Sequence, residues 1–511
     1  MILVARVRRA VRRESFGVDV GAALNLVGGL LKYLSAAALV PTGVALGYSE
    51  SPWPFLGAGA IAFVAGWSME RATIGKERAG IREGFLIVSL TWLLAAAFGA
   101  LPYLLSGEDQ LSNPVDAYFE AMSGFTTTGA TLLTDIEGLD HSVAIWRQFT
   151  QWLGGMGIIV LFLAILPRLR VGGRQLLEQE LPGPEIEPLA ASIRQTARRL
   201  WLLYIGLTAL EAVTLTVLGW TGIDERMSPY EAIAHAFTTM PTGGFSTEAR
   251  SIQAFGAASQ WVIVAFMVIG GANFALTYQA LVRRHLRPLV RDEELRLYIA
   301  LLAVGSFVLL AELWNEGFFA GEEAVRHSIF QTVSVMTTTG YATADYTEWT
   351  LLAAVAIVGL MFAGGSAGST AGSVKVVRHL VIGRILRREL DQTVHPELVA
   401  PIRLNRTIVD ERTLRAVLAF VLLYVGIFAL GTLALMVDAA RVDLELRVLD
   451  AVSVAAASLG NVGPALGFAG PMGSFEPFSD VSTGIMIVLM WLGRLEIIPV
   501  AVLLTRAYWR A

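Results

Sequence analysis

Four short segments of this 511-residue chain carry the makings of a backbone ligand set. They are Thr126-Thr127-Thr128-Gly129-Ala130-Thr131, Pro241-Thr242-Gly243-Gly244-Phe245-Ser246-Thr247, Thr337-Thr338-Thr339-Gly340-Tyr341-Ala342-Thr343 and Gly460-Asn461-Val462-Gly463-Pro464-Ala465. Glycine tolerates left-handed backbone without a Cβ penalty, so a loop centred on it can turn its carbonyls inward. Four such loops around one axis can replace the hydration shell of a cation with rings of carbonyl oxygen. The candidate ligand residues are Thr127, Thr128, Gly129, Thr242, Gly243, Gly244, Thr338, Thr339, Gly340, Asn461, Val462 and Gly463. Hydroxyls of Thr126, Ser246 and their neighbours can supply loop hydrogen bonds or a further ligand ring. No carboxylate stands at the narrow point, where a divalent-selective pore would show Asp or Glu. A monovalent-cation pathway follows. One Thr-Gly loop alone would be ordinary turn chemistry, but four in phase are not.

The elements that must position these loops are membrane helices. Apolar residues make up 55% of the chain and charged residues 16%, against about 25% charged in soluble proteins. A chain this long would need several charged domain shells that this composition cannot supply, so a polytopic membrane protein is expected. The absence of Cys excludes a disulfide scaffold, thiolate metal sites and a cysteine nucleophile. A crossing helix needs about 20 apolar residues. Eight candidates are clear: Phe85–Leu105, Gln148–Pro167, Trp201–Trp220, Ser259–Val282, Leu297–Leu313, Trp349–Val374, Ala416–Val437 and Val481–Thr505. Two weaker ones precede them, Leu24–Tyr48 (interrupted by Lys32) and Ser51–Met69. Ten crossings put both termini on one side. Of 39 Lys and Arg, 31 lie in residues 1–13, 70–83, 168–199, 283–296, 375–415 and 506–510. These segments, with both termini, are expected in the cytoplasm. The start of the chain lacks the pattern of a signal peptide and reads as a mature cytoplasmic end. The opposite connections are acidic (Glu108, Asp109, Asp135, Glu137, Asp140, Asp224, Glu225, Asp345, Glu348, Glu476, Asp480) and suit either plain solvation or a cation-gathering vestibule.

The loops are spaced 115, 96 and 123 residues apart, counting between Gly129, Gly244, Gly340 and Gly463. Before each stands a stretch too short to cross: Pro114–Phe125, Pro229–Met240, Ala324–Met336 and Leu446–Leu459. After each, 24 to 30 residues on, the next span carries a small-residue spot. These spots are Gly154-Gly155-Met156-Gly157, Gly270-Gly271-Ala272-Asn273, Gly364-Gly365-Ser366-Ala367-Gly368 and Gly493-Arg494. The unit is span, half-helix, loop, span, repeated four times. The half-helices would aim their partially negative C-terminal ends at the axis. The expected fold is an all-α membrane protein with four such repeats in pseudo-fourfold array around one pore, plus an N-terminal two-helix hairpin. The expected divisions are 1–79 (basic tail and hairpin), 80–185, 186–292, 293–405 and 406–511.

These residues resemble the four filter loops of the superfamily of K⁺ transporters, and the extra N-terminal pair of spans fits its TrkH/TrkG branch better than KtrB. Gln151-Trp152-Leu153-Gly154-Gly155-Met156-Gly157, the run Gly364 to Ser373, and Trp491-Leu492-Gly493-Arg494-Leu495-Glu496 support the resemblance over roughly residues 80–511. It implies K⁺ uptake across a bacterial inner membrane by a single-chain pseudo-tetrameric pore. It also implies a homodimer and a cytosolic TrkA-type NAD/ATP/ADP-binding ring as regulator. In that family four filter glycines accompany K⁺ preference, whereas serine in the first loop accompanies Na⁺ permeation. Pro241 and Ser373 depart from the family pattern, the first for a less rigid residue and the second for glycine.

The run of ten small or hydroxyl residues from Gly364 to Ser373 disfavours a continuous helix, since each glycine costs about 1 kcal/mol against alanine. A broken helix beneath the third loop is expected as the gate, with Gly364, Gly365, Ser366, Gly368, Ser369 and Gly372 as its residues. Close helix packing through small residues is the alternative. Arg494, thirteen residues into a span, is expected to project to the axis below the filter or to partner the gating loop. Pairing with Glu496 is disfavoured by a spacing that puts the two on different helix faces. Glu211 and Glu312 read as packing or snorkelling residues. The six histidines form no constellation, and no HExxH, GxSxG or P-loop motif is present, so an enzyme is not expected. K⁺ as cargo, no organic cofactor, contact with membrane lipid and no nucleic acid complete the expectations. Basic segments 168–199 and 375–415 are either docking surfaces or mere topology determinants. A Na⁺- or H⁺-coupled symporter, needing an intramembrane carboxylate from Glu211, Glu312 or Glu496, and a poorly selective K⁺/Na⁺ pore are the competing readings.

Overall fold

The computed structural model describes residues 18–75, 80–164, 189–405 and 407–510. The basic N-terminal tail, the end of the expected span Gln148–Pro167 and most of basic segment 168–199 lie outside the described residues. An N-terminal hairpin comes first: α1 (Val20–Ser35) runs through a 3₁₀ turn into α2 (Leu39–Tyr48), and α3 (Trp53–Ala72) returns. α1 and α3 cross at Gly28 and Gly66, where an added Cβ on either would lie within 2.6 Å of the other's carbonyl oxygen. Lys32, the charge that interrupts the first span, forms an ion pair with Glu70 across this crossing.

Four units follow. The first is α4 (Ile81–Ser106), half-helix α5 (Pro114–Phe125) and α6 (His141–Ala164). The second is α7 (Leu189–Trp220), half-helix α8 (Pro229–Thr239), α9 (Ala257–Gly270) and α10 (Phe274–Leu281). After α11 (Arg287–Arg291), the third has α12 (Glu293–Asn315), half-helix α13 (Gly321–Met336), α14 (Leu351–Met361) and α15 (Val376–Val394). A small antiparallel pair, β1 (Arg403–Leu404) and β2 (Thr407–Ile408), precedes the fourth. That unit contains α16 (Glu411–Arg441), half-helix α17 (Val448–Gly460), α18 (Asp480–Arg494) and α19 (Ile498–Leu503), and α20 (Arg506–Trp509) ends the chain.

The half-helices begin where the sequence supplies caps. Asn113 accepts from the Val115 N–H at 2.9 Å and Ser228 from the Glu231 N–H at 3.2 Å, each followed by Pro at the first helical position. Twelve residues of α5 extend only about 18 Å, short of a hydrocarbon core of about 30 Å. Burial confirms their place: α5 is buried almost throughout from Ala117, whereas α7 exposes Leu202, Leu210 and Val213 along its outer face. Tryptophans stand exposed near helix ends, Trp53, Trp220, Trp314 and Trp509 among them, as befits a membrane interface.

Five continuous helical spans among the described residues are long and apolar enough to cross: Val20–Tyr48, Arg82–Ser106, Gln195–Trp220, Glu293–Asn315 and Glu411–Arg441. Each opens the hairpin or one of the units. Two expected straight spans are corrected. Ser259–Val282 is broken, α9 and α10 meeting at 111°, because Gly271 to Asn273 leave the helix and Asn273 caps α10 by accepting from the Ala275 and Leu276 N–H groups. Val481–Thr505 breaks after Arg494, where Glu496 and Ile497 adopt φ of 56° and 60°. Positive φ at a β-branched residue is strained backbone. Arg494 therefore ends a helix instead of sitting inside one. The expected break in Trp349–Val374 is present, between Met361 and Val376.

Candidate functional site

Each half-helix ends in the same backbone device. Thr127, Thr242, Thr338 and Asn461 have φ of 53°, 55°, 57° and 54°, and two residues on Gly129, Gly244, Gly340 and Gly463 have φ of 82°, 79°, 82° and 101°. The residue between donates its N–H back into the half-helix: Thr128 to Ser123, Gly243 to Thr238 and Thr339 to Ser334 at 2.8 Å, Val462 to Ala457 at 2.9 Å. These bonds satisfy helix-end carbonyls that would otherwise be buried without partners.

The four loops close into a ring. A Cβ built on Gly129 would lie 2.1 Å from the Gly243 oxygen, and one on Gly244 would lie 1.8 Å from the Thr339 oxygen. On Gly340 it would lie 2.1 Å from the Val462 oxygen, and on Gly463 2.6 Å from the Thr128 oxygen. Every glycine thus faces the equivalent carbonyl of the next loop, from first to second, third, fourth and back to first. Glycine is demanded twice at each position, by φ and by space. The structure brings together all twelve sequence-expected loop residues, and ten of them are buried, the seven that are not glycine to within 1% of full burial.

The small-residue spots let the second helix of a unit reach its own half-helix. Added Cβ atoms on Gly154, Gly270 and Gly493 would meet the oxygens of Phe125, Met240 and Leu459 at 2.0, 3.1 and 1.9 Å. Gly155 makes room for Pro241, whose ring an added Cβ would meet at 2.5 Å. This is how the unexpected proline fits.

Segment 364–373 lies directly against three of the loops. Thr370 Oγ1 donates to the Met240 oxygen at 3.0 Å, and Thr242 Oγ1 reaches Thr370 Oγ1 at 3.3 Å. Gly372 N–H donates to Thr338 Oγ1 at 2.7 Å, and an added Cβ on Gly372 would lie 2.3 Å from the Gly460 oxygen. The segment is also laced into the α9–α10 break: Ser366 N–H donates to the Gly271 oxygen at 2.9 Å, and Phe274 N–H to the Gly368 oxygen at 3.2 Å. Gly364, Gly368 and Ser373 carry positive φ. Ser373 holds that conformation with its hydroxyl donating to the Met361 oxygen at 2.6 Å, at the end of α14. Gly365 packs against Gly271, and Ser369 Oγ donates to the Ser366 oxygen at 2.6 Å.

Arg494 is 2% exposed and donates to the Thr370 oxygen at 2.9 Å and to the Gly154 oxygen at 3.2 Å. It joins the segment to the first unit. It does not pair with Glu496, which instead forms an ion pair with Arg378, itself stacked 3.8 Å from the centre of the Phe420 ring. Glu312 accepts from the Thr350 hydroxyl, and Glu211 is fully buried in α7.

Three contributors escaped sequence reasoning. Gln151 reaches the second loop from α6. Glu294 accepts from the Ala367 N–H at 2.6 Å and the Val377 N–H at 3.2 Å, tying the segment to the start of α15. Arg147 and Glu120 form a fully buried ion pair of 2.7 Å. Its guanidinium also reaches Thr131 Oγ1 at 3.2 Å and the Ser246 oxygen at 3.4 Å, just outside the first two loops. A charge beside a span was the one available signal, since Arg147 stands immediately before the expected span Gln148–Pro167. In the connecting loops away from the ring, burial holds Glu108 and Glu248 above the ordinary carboxylate range. Neighbouring acids add to the effect, Asp140, Asp109 and Asp135 for Glu108 and Glu137 and Glu231 for Glu248.

A pseudo-fourfold ring of half-helix loops inside a helical membrane shell defines a membrane transport protein and not an enzyme. The chain belongs to the TrkH family of cation transport proteins, whose family model matches residues 56–510. It is 37% identical to the Trk system potassium uptake protein TrkH of Salmonella typhimurium over 494 residues, 95% of this chain and 98% of that one. It is 33% identical to the Trk system potassium uptake protein TrkG of Escherichia coli over 495 residues, again 95% and 98%. The crystal structure of the potassium transporter TrkH from Vibrio parahaemolyticus superimposes with a TM-score of 0.85 at 33% identity, covering 96% of this chain and all of that one.

Proposed function

We propose that this chain is the K⁺-conducting subunit of a Trk-type potassium uptake system, a channel-like pore in a bacterial inner membrane with both termini cytoplasmic. The observation that carries this reading is the closed ring in which each of four glycines faces the next loop's carbonyl. The filter is formed by Thr127 to Gly129, Thr242 to Gly244, Thr338 to Gly340 and Asn461 to Gly463. Backbone oxygens, with no carboxylate among these residues, suit a monovalent cation stripped of water. The same reading takes residues 80–185, 186–292, 293–405 and 406–511 as the four pore repeats and 1–79 as a separate hairpin.

The gate is the segment from Gly364 to Gly372 with Arg494. Its bonds to Thr242 and Thr338 lie across the inner mouth, so ions pass only when these break. Arg494 puts a fixed positive charge beside that path and anchors the segment through Thr370. A cytosolic nucleotide-binding ring acts on α15 and the β1–β2 pair, where Arg384, Arg387, Arg388 and Arg403 cluster, and the chain works as a homodimer. Of the three carboxylates that ion coupling could use, Glu496 is committed to Arg378 and Glu312 to Thr350, which leaves buried Glu211 on α7 as the one candidate.

Purified chain in liposomes, loaded to impose a K⁺ diffusion potential, tests this directly. Rubidium influx should follow the potential and be indifferent to added Na⁺ or proton gradients. Influx that requires either gradient overturns the pore reading in favour of symport.

A further inference from the structure

We propose that Gln151 is a specificity-determining positioning residue, whose side-chain amide on α6 fixes the second loop of the ring from behind. This inference rests on the reading of the four loops as the ion filter.

Gln151 is fully buried. Its Nε2 donates to the Gly243 oxygen at 2.7 Å and its Oε1 accepts from the Phe245 N–H at 3.1 Å. The two ends of one amide thus bracket Gly244. The Gly243 oxygen is also the one that faces Gly129, so the bond acts on the seam between the first and second loops.

Three independent features of the repeat agree. First, the position before the filter glycine is Thr128, Thr339 or Val462 in the other loops and glycine only in the second. A Cβ on Gly243 would lie 2.4 Å from Gln151 Cδ, so the amide occupies the space that the other loops give to their own side chain. Second, the residue three before the small-residue spot is Gln151 in the first unit but Met267, Met361 and Met490 in the others, all three fully buried. Third, the second loop lacks the internal brace of its neighbours. Thr126 and Thr128 share a hydroxyl bond of 2.7 Å, and Thr337 and Thr339 one of 2.8 Å, whereas Pro241 and Gly243 have no hydroxyl to share. Gln151 supplies from another helix what the second loop cannot make for itself.

A carbonyl held by a buried donor resists turning toward a smaller ion. Each such bond is worth about 1 kcal/mol net, which corresponds to about fivefold in an equilibrium ratio. Gln151→Met puts in the first unit the residue that the other three units carry at this position and removes both amide bonds. It should lower the preference for K⁺ over Na⁺, read as competition against rubidium uptake into liposomes, by about five- to tenfold. The maximal rubidium flux should stay of the same order, which separates positioning from general damage. A second variant, Gln151→Ala with Pro241→Thr and Gly243→Thr, rebuilds the internal hydroxyl pair in the vacated space and should recover most of the preference. Wild-type preference in assembled Gln151→Met overturns the inference, as does lost preference in the assembled triple variant. Gly129→Ser runs alongside. If it alone changes the preference, the filter reading stands and only the role of Gln151 falls. If neither changes it, the filter reading falls too and takes this inference with it.

Discussion

The first and third loops are built alike, and the second and fourth are each built differently from them. In the first, Ser123 Oγ donates to the Ala130 oxygen at 2.6 Å. In the third, Ser334 Oγ donates to the Tyr341 oxygen at the same distance. Both add the hydroxyl pair Thr126–Thr128 or Thr337–Thr339. In the second loop Thr238, at the matching position, turns to the Tyr341 hydroxyl instead, and in the fourth Ala457 has no hydroxyl at all. The fourth leans on the first loop and on its own unit's α18 through Asn461, whose Nδ2 donates to Thr128 Oγ1 at 3.0 Å and to the Met490 oxygen at 2.9 Å. All four loops nevertheless share one backbone. Fourfold geometry at the ring is therefore reached by two kinds of support, internal at two opposite loops and borrowed at the other two.

That contrast can be broken at its common element first. Gly244→Ala would place a Cβ 1.8 Å from the Thr339 oxygen and hold alanine in left-handed backbone at about 1–2 kcal/mol. Rubidium uptake should fall further than in any other variant, since this approach is the tightest of the four. Asn461→Ala should come next. It removes the borrowed brace of the fourth loop, costs about 1–3 kcal/mol through groups left unpaired, and should lower both melting temperature and K⁺ preference. Thr126→Val and Thr337→Val each delete the bond to the partner hydroxyl and one to a half-helix carbonyl, Met122 or Val333, worth about 1 kcal/mol apiece, and should weaken K⁺ preference equally. Unequal effects would show that the two internally braced loops are not equivalent. The smallest effect belongs to the outer acids, which serve no single loop. Glu108 and Glu248 are raised, so they lose charge before ordinary carboxylates as external pH falls. Rubidium uptake at low ionic strength should decline modestly over that range, and the decline should vanish in salt high enough to screen these charges.

The glycine pattern and the half-helices were legible because both are local: a positive φ with no room for a Cβ demands glycine, and a short apolar stretch after Asn-Pro or Ser-Pro announces a half-helix. Pro114–Phe125 matches its helix residue for residue, while α13 begins three residues before Ala324 because Gly321 to Glu323 are polar and gave no apolar signal. The break in the third unit was legible from four glycines in ten residues. The 111° bend at Gly271 and the turn at Glu496–Ile497 were not, because two glycines in an apolar run read equally well as packing. The roles of Gln151 and Glu294 were invisible for a different reason. Each acts on backbone far away in sequence, Gln151 on a residue 92 positions on and Glu294 on one 73 positions on, and nothing in the local pattern points there.

The most direct test is rubidium uptake into liposomes holding the purified chain, with K⁺ and Na⁺ as competitors, in wild type and Gly129→Ser. K⁺ should compete far better than Na⁺ in the wild type, and the serine, driven against the Gly243 oxygen, should bring the two together. Equal competition by K⁺ and Na⁺ in the wild type, or an unchanged preference in an assembled Gly129→Ser protein, would contradict a selectivity set by the four-loop ring.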